Sequence, residues 1–142
     1  MSKPYTSSPL QQAYSHFEKG DVKQAHKQCV SLIQAGERVG EAYQLLAQIN
    51  VSVGQLHKAA ELCKHAIAYK NVVEFRVLLC RIYALLGQTD GVIAIANTVQ
   101  VDDIQTPIQA DTLGVALSTC NEHARALVYF SEAVNALNPT PS

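Results

Sequence analysis

The 142-residue sequence predicts an all-α fold, a solenoid of four antiparallel helix pairs, and three observations lead there. Gly20, Gly54, Gly87 and Asn121 stand 34, 33 and 34 residues apart. Five residues after each of them comes Ala25, Ala59, Val92 or Ala126. Apolar and small residues recur at intervals of three and four on both sides of every rung. Self-similarity at a period of this size marks stacked copies of one supersecondary unit, each burying its apolar face against its neighbours. The three-and-four spacing makes that unit helical, and the rung between two such runs makes it a hairpin.

The first helix is expected to open at Ser8-Pro9, a capping hydroxyl followed by proline at the first helical position. Its apolar face carries Leu10, Ala13, Tyr14 and Phe17. Gly20 suits the left-handed position that ends a helix, and Asp21 can cap the next one. That helix carries Val22, Ala25, Cys29, Leu32 and Ile33. The second pair places Tyr43, Leu46, Ala47, Asn50 and Val53 before Gly54, then Leu56, Ala59, Ala60, Cys63, Ala66 and Ile67. The third has Phe75, Leu78, Leu79, Ile82, Tyr83 and Leu86 before Gly87.

The returning stretch of the third pair, Asp90 to Val99, is rich in β-branched residues and in isolation reads equally well as a buried strand. Val92, Ala96 and Val99 nevertheless keep the register of Ala59, Cys63 and Ala66, so a helix is expected, weakened by Gly91. After a slightly longer connection through Asp102-Asp103 to Pro107, the fourth pair carries Leu113, Gly114 and Leu117, then Ala126, Phe130 and Ala133. It closes at Asn138-Pro139. A single array therefore spans residues 9–139, in repeats of about 9–37, 39–71, 72–105 and 106–139, between flexible termini at 1–8 and 140–142.

This pattern resembles the tetratricopeptide repeat (TPR), in which a large residue, a leucine beside a small residue and an aromatic precede alanine, aromatic, alanine and a closing proline. Tyr43-Leu46-Ala47, Leu79-Cys80-Tyr83 and Ala126-Phe130-Ala133 carry the likeness. Pro9, Arg76 and Ala110 depart from it at the large aromatic, and Glu37, Asn71 and Ile104 at the proline. The resemblance implies a right-handed superhelix in which Ala13, Ala47, Cys80 and Gly114 let paired helices cross closely. More weakly, residues 111–118, 123–127 and 130–134 resemble repeats that precede the sulfotransferase domain of some bacterial proteins, a domain for which this chain has no room.

Composition narrows the function. Eleven Lys and Arg against twelve Asp and Glu give a formal net charge of -1, with basic residues scattered, so neither nucleic acid nor a membrane surface is the expected partner. No apolar run is long enough to span a bilayer and no signal-like segment opens the chain, which points to a cytoplasmic protein with reduced thiols. There is no GxxxxGK[ST] or GxGxxG loop to hold a phosphate. Cys29 with His26, and Cys63 with His65, lack the clustered spacing of a four-ligand zinc site. Cys29, Cys63 and Cys80 fall mid-helix, where a small core residue is expected, and Cys120, beside a turn, is the most accessible thiol. His16 falls at an inward position and is expected in the core; the other histidines fall at solvated ones. No enzyme, metal or cofactor is expected.

The TPR resemblance implies a concave groove lined by the first helix of each pair, for a protein or peptide partner. The residues expected there are Tyr14 and Phe17, then Gln44, Gln48 and Val51, then Val77 and Arg81, then Asp111, Val115 and Ser118. Arg81 is expected to pair with Asp111 or Glu74, or to await a partner's carboxylate or main-chain carbonyl. Repeats that grip acidic chaperone tails use a Lys/Asn/Lys/Arg constellation; the corresponding positions here are Leu10, Tyr14, Leu45, Glu74 and Leu78, or in the next register Gln44, Gln48, Leu78, Ile108 and Thr112, which disfavours that ligand. The final hairpin has no polar cap, which leaves Val115, Leu127, Val128, Tyr129 and Val134 without a covering neighbour. The sequence thus reads as a piece of a longer protein, or as one that self-associates through this end; a spacer or dimerisation role within a larger enzyme is the alternative function.

Overall fold

The computed structural model describes residues 8–137, which form eight α-helices and no strand. It divides into two compact units, Met1–Lys70 and Asn71–Ser142, each holding two of the four hairpins.

In the first unit, α1 (Pro9–Glu18) pairs with α2 (Val22–Ala35) and α3 (Val39–Ser52) with α4 (Leu56–Tyr69). Ser8 closes a full capping box: its hydroxyl accepts from the Gln11 N–H at 3.2 Å, and Gln11 Oε1 accepts from the Ser8 N–H at 3.0 Å. Asp21 Oδ1 accepts from the Gln24 N–H at 3.3 Å and starts α2. Both caps fall where the sequence places them, and Ser8 belongs to the cap, not to a flexible end. The remainder of 1–8, with Asn138, Pro139 and 140–142, lies outside the described residues.

The second unit pairs α5 (Val73–Leu85) with α6 (Thr89–Ala96), and α7 (Pro107–Thr119) with α8 (His123–Leu137). A single 3-10 turn, Val101–Asp103, joins the hairpins, and Thr106 caps α7 by accepting from the Gln109 N–H at 3.2 Å. The β-branched stretch is helical as its register requires, but α6 stops at Ala96 and is the shortest of the eight. Val92, Ala96 and Val99 all enter the core.

The rungs are one turn repeated. Gly20, Gly54, Gly87 and Asn121 have φ of 83°, 79°, 71° and 60°. At each, the rung N–H bonds a carbonyl three residues back and the next N–H a carbonyl five back, as in Gly54 to Val51 at 3.1 Å and Gln55 to Asn50 at 2.8 Å. The same pair of bonds forms at Gly36, which closes α2.

Hairpins cross where small residues permit. Ala13, Ala47, Cys80 and Gly114 are buried, as are Ala25, Ala59, Val92 and Ala126. The first core gathers Leu10, Ala25, Cys29, Leu32, Leu45 and Ile49; the second gathers Val73, Val92, Val99, Leu113, Leu117 and Tyr129. Gly91 has a packing reason as well as a propensity cost: a Cβ there would lie 2.8 Å from Cγ of Tyr83.

One departure from the repeat pattern makes contacts of its own. Arg76, at an aromatic position, sends Nη1 to the carbonyl and to the hydroxyl of Thr98, 3.3 Å from the latter, and so ties down the chain just past α6. Tyr43, at the matching position of α3, stacks on His65 and Tyr69 with ring centroids 5.2 and 5.9 Å away.

Candidate functional site

Alignment of α5 and α7 within the second unit leaves a groove of about 250 Å³ between them, lined by Arg81, Ala84, Leu85, Asp111, Thr112, Val115, Ala116 and Thr119. Arg81, Leu85 and Ala84 recur at three and four along α5; Asp111, Val115 and Thr119 recur at four along α7. Each helix therefore offers one stripe to the groove, from which Leu85 and Val115 stand 51% and 52% exposed. The two charged groups lie on opposite walls. No ion pair joins Arg81 to Asp111 among the described residues. An exposed pair of this kind is worth only about 0–1 kcal/mol, so little opposes their separation.

The hydroxyls are already committed as donors. Thr112 Oγ1 donates to the Ile108 carbonyl at 2.8 Å, and Thr119 Oγ1 to the Ala116 carbonyl at 2.6 Å. Both oxygens keep lone pairs for a hydrogen from outside.

Of the residues expected to line a groove, Arg81, Asp111 and Val115 come together here, and Ser118 lies half-buried on α7. Val77 does not share the groove: it is buried with Leu78, Leu79 and Cys80 in one run. In the first unit Gln44 is likewise internal, 2% exposed, in a run with Leu45, Leu46 and Ala47, and its Oε1 accepts from the Tyr14 hydroxyl at 3.0 Å. Four consecutive buried residues wrap a full turn, so a position between core residues on such a helix is still enclosed. Tyr14 and Phe17 are half-buried and pack on the first core; Gln48 and Val51 are half-buried on α3. Leu85, Thr112 and Thr119 are groove residues that sequence reasoning missed, although the spacings Arg81 to Leu85 and Val115 to Thr119 carried the signal.

Two further expectations change. His16 is not a core residue: its side chain is 38% exposed, with Nδ1 3.6 Å from the Asp21 carboxylate, because α1 ends two residues later and leaves that face to solvent. Tyr129 is not left uncovered, being 5% exposed with its hydroxyl donating to the Val99 carbonyl at 3.2 Å; burial raises its pKa. Leu127, Val128 and Val134 do stand open on α8, at 64%, 48% and 57% exposure.

Cys29, Cys63 and Cys80 are wholly buried, and burial pushes each thiol up to about 12. A thiol so disfavoured as thiolate is neither a nucleophile nor a ready ligand. Cys120 is half-buried. Among the described residues no helix is long and apolar enough to cross a membrane.

No protein-family model and no curated protein matches the chain. Solved structures do. MamA is similar, at 18% identity and a TM-score of 0.66 over 91% of this chain and 76% of that one. A second MamA structure, AMB-1 MamA in a P212121 crystal, gives 19%, 0.65, 94% and 73%. A Podosopora anserina kinesin light chain with nearly identical TPR-like repeats gives 16%, 0.62, 93% and 76%. The chain thus has an all-α, TPR-like helical-repeat fold, the class that its ladder predicts.

Proposed function

We propose that the protein is a non-catalytic protein–protein interaction module that holds a peptide or a partner domain in the groove between α5 and α7. The observation that carries this reading is the separated Arg81 and Asp111 on facing walls, with half-exposed Leu85 and Val115 one turn further along the same two helices. A groove of about 250 Å³ falls below the roughly 300–1,000 Å³ of small-molecule sites, which favours one contact of a larger partner over a self-contained ligand. The reading needs no catalytic residue, metal or cofactor, and no nucleic acid or membrane, and a cytoplasmic location is proposed with it.

Photo-crosslinking tests it. A benzophenone side chain at position 115 or 119 is expected to capture a protein from lysate at least fivefold better than one at Glu61, an exposed residue of α4. Arg81→Ala should abolish the advantage at position 115. Equal capture at all three positions overturns the groove as the binding site.

A second reading, a spacer or dimerisation arm of a larger enzyme such as a bacterial sulfotransferase, draws support from the apolar exposure of Leu127, Val128 and Val134 on α8. Sedimentation separates the two: concentration-dependent dimers that Leu127→Asp disperses favour assembly, and a monomer at high concentration removes it.

A further inference from the structure

We propose that two copies of this chain associate through charge, with the lysines of α2 and α4 in one copy meeting the carboxylates of α6 and the 3-10 turn in the other. Neither the α5–α7 groove nor the open α8 face takes part.

The formal net charge of -1 conceals a division between the two units. Residues 1–70 hold eight Lys and Arg against five Asp and Glu, and residues 71–142 hold three against seven. The first unit thus carries a surplus of three positive charges and the second a surplus of four negative ones. Every lysine falls at or before Lys70, and from Ile82 to Glu122 the chain has five acidic residues and no basic one.

Pairing within the fold sharpens the division. In the first unit Glu41 takes Arg38 and Lys70, Glu61 takes Lys64 at 3.1 Å, and Asp21 lies beside His16. Lys19, Lys23, Lys27 and Lys58 stand exposed with no ion pair among the described residues. Lys23 and Lys27 are one turn apart on α2, a helix without an acidic residue, and Lys58 follows His57, the repeat counterpart of Lys23, on the first turn of α4. In the second unit Asp90 and Asp102 are exposed and likewise without an ion pair among the described residues. Asp102 and Asp103 line an open cleft of about 380 Å³ beside half-buried Val72, where the stem of an incoming lysine can lie while its ammonium meets the carboxylates. Arg76 also lines this cleft, but its Nη1 is turned to Thr98.

Charge selects a second copy over other partners. A polyanion or an anionic membrane gains the lysines but is repelled by the second unit of the same chain, and a polycation meets the converse. A second copy offset so that its acidic unit lies against the lysines is attracted, whereas copies that oppose like units repel.

Sedimentation of the full chain tests this. The wild type is expected to associate at ~10 mM salt, where charges act over about 30 Å, and to be monomeric at ~1 M, where they act over about 3 Å. Lys23→Glu with Lys27→Glu, and separately Asp90→Lys with Asp102→Lys, should each weaken self-association about tenfold or more. Mixed, these two variants present opposite surfaces to one another, and the mixture should associate as the wild type does, which a misfolded variant could not restore. Leu127→Asp should leave the salt-sensitive association in place. Association that persists at ~1 M salt, or a mixture of the two variants that stays monomeric, would overturn the proposal. So would a wild-type monomer at ~10 mM salt, and its co-sedimentation with phosphatidylserine vesicles would then give the lysines to a membrane surface.

Discussion

Gly114 on α7 lies so close beneath the ring of Phe130 on α8 that a Cβ at position 114 would stand 2.5 Å from Phe130 Cε1. The fourth hairpin therefore matches its smallest crossing residue to its largest, where the first two set Ala13 and Ala47 in hairpins with Cys29 and Cys63. Gly114→Ala is expected to destabilise the protein by about 1 kcal/mol: overpacking costs about 1–3 kcal/mol and outweighs the helix-propensity gain of about 1 kcal/mol. In a Phe130→Ala background the clash is gone and the same change should stabilise by up to about 1 kcal/mol. A urea double-mutant cycle reads the reversal, and the same sign in both backgrounds would refute the pairing.

The ladder itself makes a second prediction. Gly54 has φ of 79° with open space around its Cα, so a side chain there is opposed by backbone strain alone. Gly54→Ala should cost about 1–2 kcal/mol. Asn121, at φ of 60°, already carries a side chain in that conformation, and Asn121→Gly should relieve up to about 1 kcal/mol of it. Thermal melts that move in the same direction for both substitutions would contradict a shared left-handed turn.

Such turns were legible in the sequence because φ above zero restricts the residue type, and because the crossing positions demand small side chains at fixed offsets. The eight helices followed from those two constraints. The groove was only half legible. Arg81, Asp111 and Val115, expected at a groove from the repeat resemblance, do lie together along α5 and α7, but the burial of Gln44 and Val77 depends on neighbours on more than one side of α3 and α5, which a single helix's periodicity does not encode. His16 failed for a related reason: its register is inward, yet it stands two residues from the end of α1, where the cover runs out.

Thiol chemistry supplies a third prediction. With Cys29, Cys63 and Cys80 buried and raised to about 12, one of the four cysteines is expected to react with Ellman's reagent at pH about 8 before unfolding, and the rest only with it. Cys120→Ser should remove the fast phase. The raised values also fix the sign of the alkaline limit: the buried thiols stabilise the fold fully below the ordinary thiol value of ~8.5 and lose that contribution as pH climbs toward 12. A fast phase that survives Cys120→Ser would mean that the first core or the second opens locally.

Glu41 sets the acid side. Burial raises its pKa, but the hydrogen bond and charge of Arg38, with the charge of Lys70 whose Nζ is 3.9 Å away, more than offset that and hold it below the usual carboxylate value. A folded-state pKa below the unfolded one gives a contribution that is present above the unfolded value of ~4.3 and fades as pH falls through the folded one. Because Arg38 and Lys70 are 59% and 57% exposed, screening keeps the effect below about 1 kcal/mol. Glu41→Gln is expected to lower stability by a few tenths of a kcal/mol at neutral pH and by nothing at pH about 2, where both forms are uncharged. Moderate salt should shrink the neutral-pH difference, since the partners lie at the surface. Denaturant midpoints across that range decide it, and a difference that grows on acidification would reverse the assigned sign.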